Sequence, residues 1–114
     1  MSKTMPVKPI HTEAELEAEF KAAGTKLVVV DFFAEWCLPC QGAAPYITNL
    51  SRAMQAVAVF LKVDVDTCND LALKYGVKAM PTFILFRKGA PVGEIEGPNM
   101  NTLEEEIAKQ LYVS

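Results

Sequence analysis

The stretch Leu27-Val28-Val29-Val30-Asp31-Phe32-Phe33 is apolar on both faces of an extended chain and dense in β-branched and aromatic side chains. Such a run needs cover above and below, which predicts a central strand over Lys26–Ala34 with helices on both sides of its sheet. Around it the apolar pattern alternates between strand and helix periods. Val57–Val63 reads as a second strongly apolar strand, Thr82–Arg87 as a third and Val92–Glu96 as a fourth. Pro91 is tolerable only at the start of an edge strand. Val7–Ile10 is the weakest strand signal.

The helical segments carry their own punctuation. Thr12-Glu13-Ala14-Glu15 has the hydroxyl and the carboxylate three residues on that make a capping box. Leu16 and Phe20 share the face of the helix that follows, and Gly24 ends it. A second helix is expected from the cysteine segment at 37–40 to about Gln55, with Pro45 inside it and Tyr46, Ile47, Leu50 and Met54 on its buried face. Asp66 or Thr67 is expected to cap a short helix that ends at Gly76. Asn101 or Thr102 is expected to cap the last one, where Leu103, Ile107 and Leu111 recur every four residues. The order βαβαβαββα describes an α/β chain. Its middle βαβ units predict parallel strands, and its late hairpin an antiparallel edge.

The totals narrow the function classes. The 114 residues suit a single domain over 1–114, with 1–6 as a short flexible arm. A net charge of −3 with scattered Lys and Arg offers no basic footprint for nucleic acid. No apolar run approaches the ~20 residues that span a bilayer, and Met1–Ile10 does not read as a signal peptide. The expected setting is the cytoplasm, where thiols stay reduced. There, a cysteine pair three positions apart is catalytic or metal-binding rather than a staple.

Trp36-Cys37-Leu38-Pro39-Cys40 falls where the central strand ends and a helix begins. Backbone N–H groups without internal partners and the positive end of the macrodipole favour a thiolate there. Cys37 is expected to be the exposed attacker. Cys40, one turn later, is expected to be shielded and able to resolve a mixed disulfide. Zinc wants about four ligands, and beyond the pair only Cys68 and His11 remain, so no metal is expected. Two inert core thiols are the plainer alternative. Asp31 lies six residues before Cys37, where burial on both faces is expected. Burial would raise its pKa toward neutrality, and it could take the proton of Cys40. Equally, an Asp in a strand marks a bulge, a strand end or a solvated face. Lys62 could be its charged neighbour or a lysine snorkelling from a strand end. Met80-Pro81 opens a strand; a cis bond there would bend the chain and offer the Met80 backbone to an extended partner.

Val30-Asp31-Phe32-Phe33-Ala34-Glu35-Trp36-Cys37-Leu38-Pro39-Cys40, Pro45, Lys62-Val63-Asp64-Val65-Asp66, Tyr75-Gly76-Val77, Met80-Pro81-Thr82-Phe83, Phe86, Gly89 and Gly97 together resemble the thioredoxin family, in its order and spacing, from about Glu13 to Leu111. The resemblance implies the thioredoxin fold: three layers, α/β/α, with a central mixed five-stranded sheet and four helices. It implies a protein-disulfide reductase that serves electron transport and cell redox homeostasis. In that reading Cys37 is the nucleophile, Cys40 the resolving thiol, Asp31 the proton acceptor, Lys62 its modulator and Pro81 a cis-proline facing the dithiol. Trp36, Leu38, Pro39, Met80, Pro81 and Gly97 would form the substrate surface. It further implies no bound cofactor beyond the redox-active Cys37–Cys40 disulfide, and a monomer. Electrons would come from NADPH through thioredoxin reductase. Partners would be oxidised proteins such as peroxiredoxin, ribonucleotide reductase and methionine sulfoxide reductase.

Two residues depart from the family pattern. Leu38 replaces the usual glycine, which would narrow partner choice, shift the poise, or both, and Gln41 replaces the usual Lys or Arg, so a less general reductant is expected. Leu38 keeps open an exchanger with another electron donor. A thioredoxin-fold binding or chaperone module, which needs no cysteines, is the third reading. Cys68 sits where some relatives carry an extra cysteine. It is either an inert, partly buried thiol or a regulatory one at a helix start, able to link two molecules.

Overall fold

The structure is a computed structural model that describes residues 5–112. Residues 1–4 of the expected N-terminal arm lie outside that range. The described chain forms β1 (Val7–Ile10), α1 (Glu13–Ala23), β2 (Leu27–Phe33), α2 (Leu38–Ala53), β3 (Ala58–Asp64), α3 (Asn69–Lys74), β4 (Thr82–Arg87), β5 (Ala90–Glu96) and α4 (Met100–Leu111). The five strands make one mixed sheet in the order β1-β3-β2-β4-β5. The first β-strand, weakest in the sequence, pairs in parallel with β3.

Central placement of β2 follows from its composition. Val28, Val30 and Phe32 point to one side, into a core with Leu16 and Phe20 of α1, Leu71 of α3, Ile84 and Phe86. Leu27 and Val29 point to the other, among Ile47 of α2, Leu103 and Ile107 of α4, Phe60, Phe83 and Leu85. Strand alternation therefore puts Asp31 next in the second series, on the side that α2 covers.

The β2-α2-β3 unit is parallel as expected, but α3 returns the chain so that β4 runs antiparallel to β2. A hairpin then adds β5 at the edge. Its turn residues Lys88 and Gly89 both have positive φ (54° and 79°), the geometry that suits a two-residue hairpin turn. Pro91 lies beside a bulge at Leu85/Phe86 on the outer strand, where its missing N–H costs little.

Thr12 caps α1 through its side chain, which accepts the Glu15 N–H at 3.1 Å; Glu15 reaches back to the His11 N–H at 2.7 Å. Three expectations are corrected. The last helix is capped by Asn99, which accepts the Thr102 N–H, and begins before the predicted Asn101 or Thr102. Cys68, not Asp66 or Thr67, holds the N-cap position of α3, and no side chain caps it. Tyr46 is exposed rather than buried, because its hydroxyl reaches across to Glu104 of α4. Among the described residues, no helix is long and apolar enough to cross a membrane.

Candidate active site

The end of β2 delivers Ala34 to Trp36 into a turn, and Cys37 takes the N-cap position of α2. Cys37 and Cys40 are joined as a disulfide, with Cα atoms 5.2 Å apart. The Cys40 N–H, one of the donors left free by the helix start, donates to Cys37 Sγ at 3.1 Å. Pro39 stands within the first turn, where its missing N–H removes nothing the helix needs. The donor and the helix dipole both favour negative charge on the first sulfur.

The structure alters one expectation here. Cys37 is not exposed: it retains 4% of its surface and Cys40 6%, packed with Ala34 and against Phe33, Val65 and Met80. Extended backbone at Cys37 (φ −84°, ψ 108°) turns its side chain inward and leaves Trp36 and Leu38 pointing out. That burial depends on Met80 and Val65, tens of residues away, so no local pattern could reveal it.

Beneath the pair, a pocket of about 190 Å³ is lined by Asp31, Phe33, Glu35, Cys40, Ala44 and Lys62, among others. Asp31 is buried, and its Oδ1 has no hydrogen-bond partner. Burial pushes its pKa up from 3.8 to about 7, against a smaller opposing pull from the Lys62 charge. The two residues are register partners on β2 and β3. The Lys62 Nζ also lies 5.7 Å from the centre of the Phe33 ring. An acid that titrates near neutrality thus shares a pocket with the second sulfur. This arrangement can accept two electrons and hold or release a proton beside them.

The Met80–Pro81 bond is cis, and Met80 packs against the dithiol cluster. Gly97, at φ +88°, donates its N–H to the Pro81 carbonyl at 2.7 Å, which holds the end of β5 beside that loop. The Trp36 indole N–H donates to Asp66 at 2.8 Å, and the Gln41 amide donates to the Glu35 carbonyl at 2.8 Å. Asp66 is the neighbour of Trp36 that sequence reasoning missed. Thirty positions separate it from Trp36, and nothing local marks the contact.

Cys68 stands apart from this cluster. It is buried, and its thiol donates to the His11 carbonyl at 3.2 Å and lies 3.6 Å from that of Ile10. Its sulfur is covered in the folded chain, so it is not presented to a partner at the surface. Among the described residues, no group of three or more His, Cys, Asp or Glu is placed to hold a metal.

Comparison with known proteins gives a consistent outcome. The family model described as Thioredoxin matches residues 7–109. A thioredoxin from Homo sapiens is 48% identical over 101 residues, 89% of this chain and 95% of that protein. Among solved structures, Fasciola hepatica thioredoxin superposes with a TM-score of 0.87 at 39% identity, covering 90% of this chain and 98% of that one. A poplar wild-type thioredoxin h gives a TM-score of 0.90 at 32% identity, covering 96% and 99%.

Proposed function

Since the chain belongs to the thioredoxin family and is a protein thiol–disulfide oxidoreductase, we propose that Cys37 is its nucleophile and Cys40 its resolving thiol. The Cys37 thiolate attacks one sulfur of a partner disulfide. The partner's S–S bond breaks, its first sulfur leaves as a thiolate and takes a proton, and a mixed disulfide forms. Asp31 then accepts the proton of Cys40, and the new thiolate attacks Cys37 Sγ. The partner's second sulfur leaves as a thiolate and takes a proton, returned from Asp31, and Cys37–Cys40 closes. Two electrons and two protons pass to the partner. The observation that carries this reading is a Cys37–Cys40 disulfide at a helix mouth above a buried carboxyl with no donor for its Oδ1.

Lys62 modulates that carboxyl through its charge. Trp36, Leu38, Pro39, Met80, Pro81 and Gly97 form the surface on which a partner chain lies, with the Met80 backbone available for strand-like pairing. We read 1–114 as one domain acting as a cytoplasmic monomer, with no bound cofactor. Thioredoxin reductase would return its electrons from NADPH. Its oxidised partners would be of the peroxiredoxin, ribonucleotide reductase and methionine sulfoxide reductase kind, which makes it a link in electron transport and redox homeostasis.

Leu38 favours a second reading, exchange at an altered poise or with another electron donor, because a branched side chain replaces glycine beside the reactive sulfur. The test is insulin-disulfide reduction driven by NADPH and thioredoxin reductase. Wild type turns over, Cys37→Ser does not, and Cys40→Ser accumulates a mixed disulfide visible by mass. Turnover by Cys37→Ser would overturn the assignment. Activity with glutathione but not with the reductase would establish the second reading.

A further inference from the structure

Across Trp36, Cys37 and Leu38 the exposures are 65%, 4% and 75%. Two large apolar side chains therefore stand outward on either side of an inward sulfur. Trp36 is pinned by its bond to Asp66, so it is a fixed wall. Leu38 opens α2 and presents its side chain to solvent. Two donors nearby are already engaged: the indole N–H by Asp66 and the Gln41 amide N–H by the Glu35 carbonyl.

We propose that Leu38 is a specificity-determining residue, and that the preferred substrates are disulfides whose cysteines are flanked by an apolar side chain. This rests on Cys37 being the nucleophile. A mixed disulfide holds the two Cα atoms about 4.4–6.8 Å apart, so the partner's flanking residue comes within a side chain's reach of Trp36 and Leu38. An apolar flank there covers Leu38 and removes water from both surfaces. A polar flank loses its water against the apolar faces of Trp36 and Leu38, a cost that an apolar flank does not carry. An acidic flank also meets the carboxylates of Glu35 and Asp66.

Pre-reduced protein comprising residues 1–114 is mixed, in a stopped-flow instrument, with either of two synthetic disulfide-closed peptides. These differ only in the residue after each cysteine, leucine or asparagine. Trp36, the sole tryptophan, reports oxidation of the adjacent dithiol through its fluorescence. Each rate constant is divided by that for dithiothreitol with the same peptide, which removes intrinsic reactivity. A change in the protein's potential moves both peptides alike, so the ratio isolates the contact. The expected preference for the leucine peptide is about tenfold, falling below about threefold in Leu38→Gly and kept in Leu38→Met. A ratio that Leu38→Gly leaves unchanged overturns the proposal while the exchange reading survives. If neither peptide oxidises the wild-type dithiol, the exchange reading fails and the proposal falls with it.

Discussion

On folding, the Asp31 carboxyl moves from water to a site where its Oδ1 has no donor, and its pKa rises from 3.8 to about 7. Well below pH 4 both states hold the proton, and its ionisation contributes nothing to the stability difference. Between about pH 4 and 7 the unfolded chain ionises while the folded chain does not, so stability falls as pH rises. The total loss is about 4 kcal/mol, complete once the pH passes the folded value. Asp31→Asn removes that ionisation. The oxidised variant is expected to exceed wild type by about 2–4 kcal/mol at pH 8, with the gap closing toward pH 4. Urea melts across pH measure this, and a gap that does not vary with pH would refute it. The same variant is expected to resolve mixed disulfides more slowly near neutrality, because Cys40 loses its proton acceptor.

At the scale of elements, α2 carries the chemistry on its first turn, where the family's usual basic residue is replaced by Gln41. Gln41→Lys would set a cation beside the sulfurs and also at the wrong end of the helix dipole. The reduced variant is expected to show a lower Cys37 pKa, read from alkylation rate against pH. Its stability is expected to fall by about 0.3–1 kcal/mol. An unchanged alkylation profile would separate that position from the reactive sulfur. At α4, Asn99→Ala is expected to cost about 1 kcal/mol, against nearly nothing for Asn101→Ala, which comparison of melts settles. That pair also marks where the sequence stops being legible. Thr12 stands out as a cap because its partner carboxylate is three residues away. Asn99, Asn101 and Thr102 compete at the start of α4, and only the path of the chain after Gly97 decides between them. Tyr46 fits the helical spacing of Ile47 and Leu50 nearly as well as a core residue would, but its hydroxyl finds Glu104 on another helix. At the site, the dithiol and its place at a strand end were legible because their signals are local. The cover on Cys37 and the Trp36–Asp66 bond join segments far apart in the chain, so they belong to the fold.

Across the whole molecule, the sheet separates two large cores, and the dithiol cluster is a small satellite at one end of β2 that shares Val65 with the first of them. This layout decides how stability and redox poise are coupled. By a thermodynamic cycle, the reduction potential of the folded protein differs from that of the unfolded chain only by the stability difference between oxidised and reduced forms. A disulfide that closes so short a loop gives about 2 kcal/mol by chain entropy, or about 40 mV. A change far from the cluster lowers both forms equally and cancels from the cycle. Leu103→Ala, buried between α4 and the sheet, is expected to cost about 2–5 kcal/mol in either redox state. Its potential, measured by equilibration with glutathione, is expected to stay within about 10 mV of wild type. Leu38→Gly, at the cluster itself, is expected to move the potential while altering stability far less than Leu103→Ala does. A shift above about 30 mV in Leu103→Ala would mean that the core and the dithiol are mechanically continuous, and that the site is not the independent satellite its packing describes.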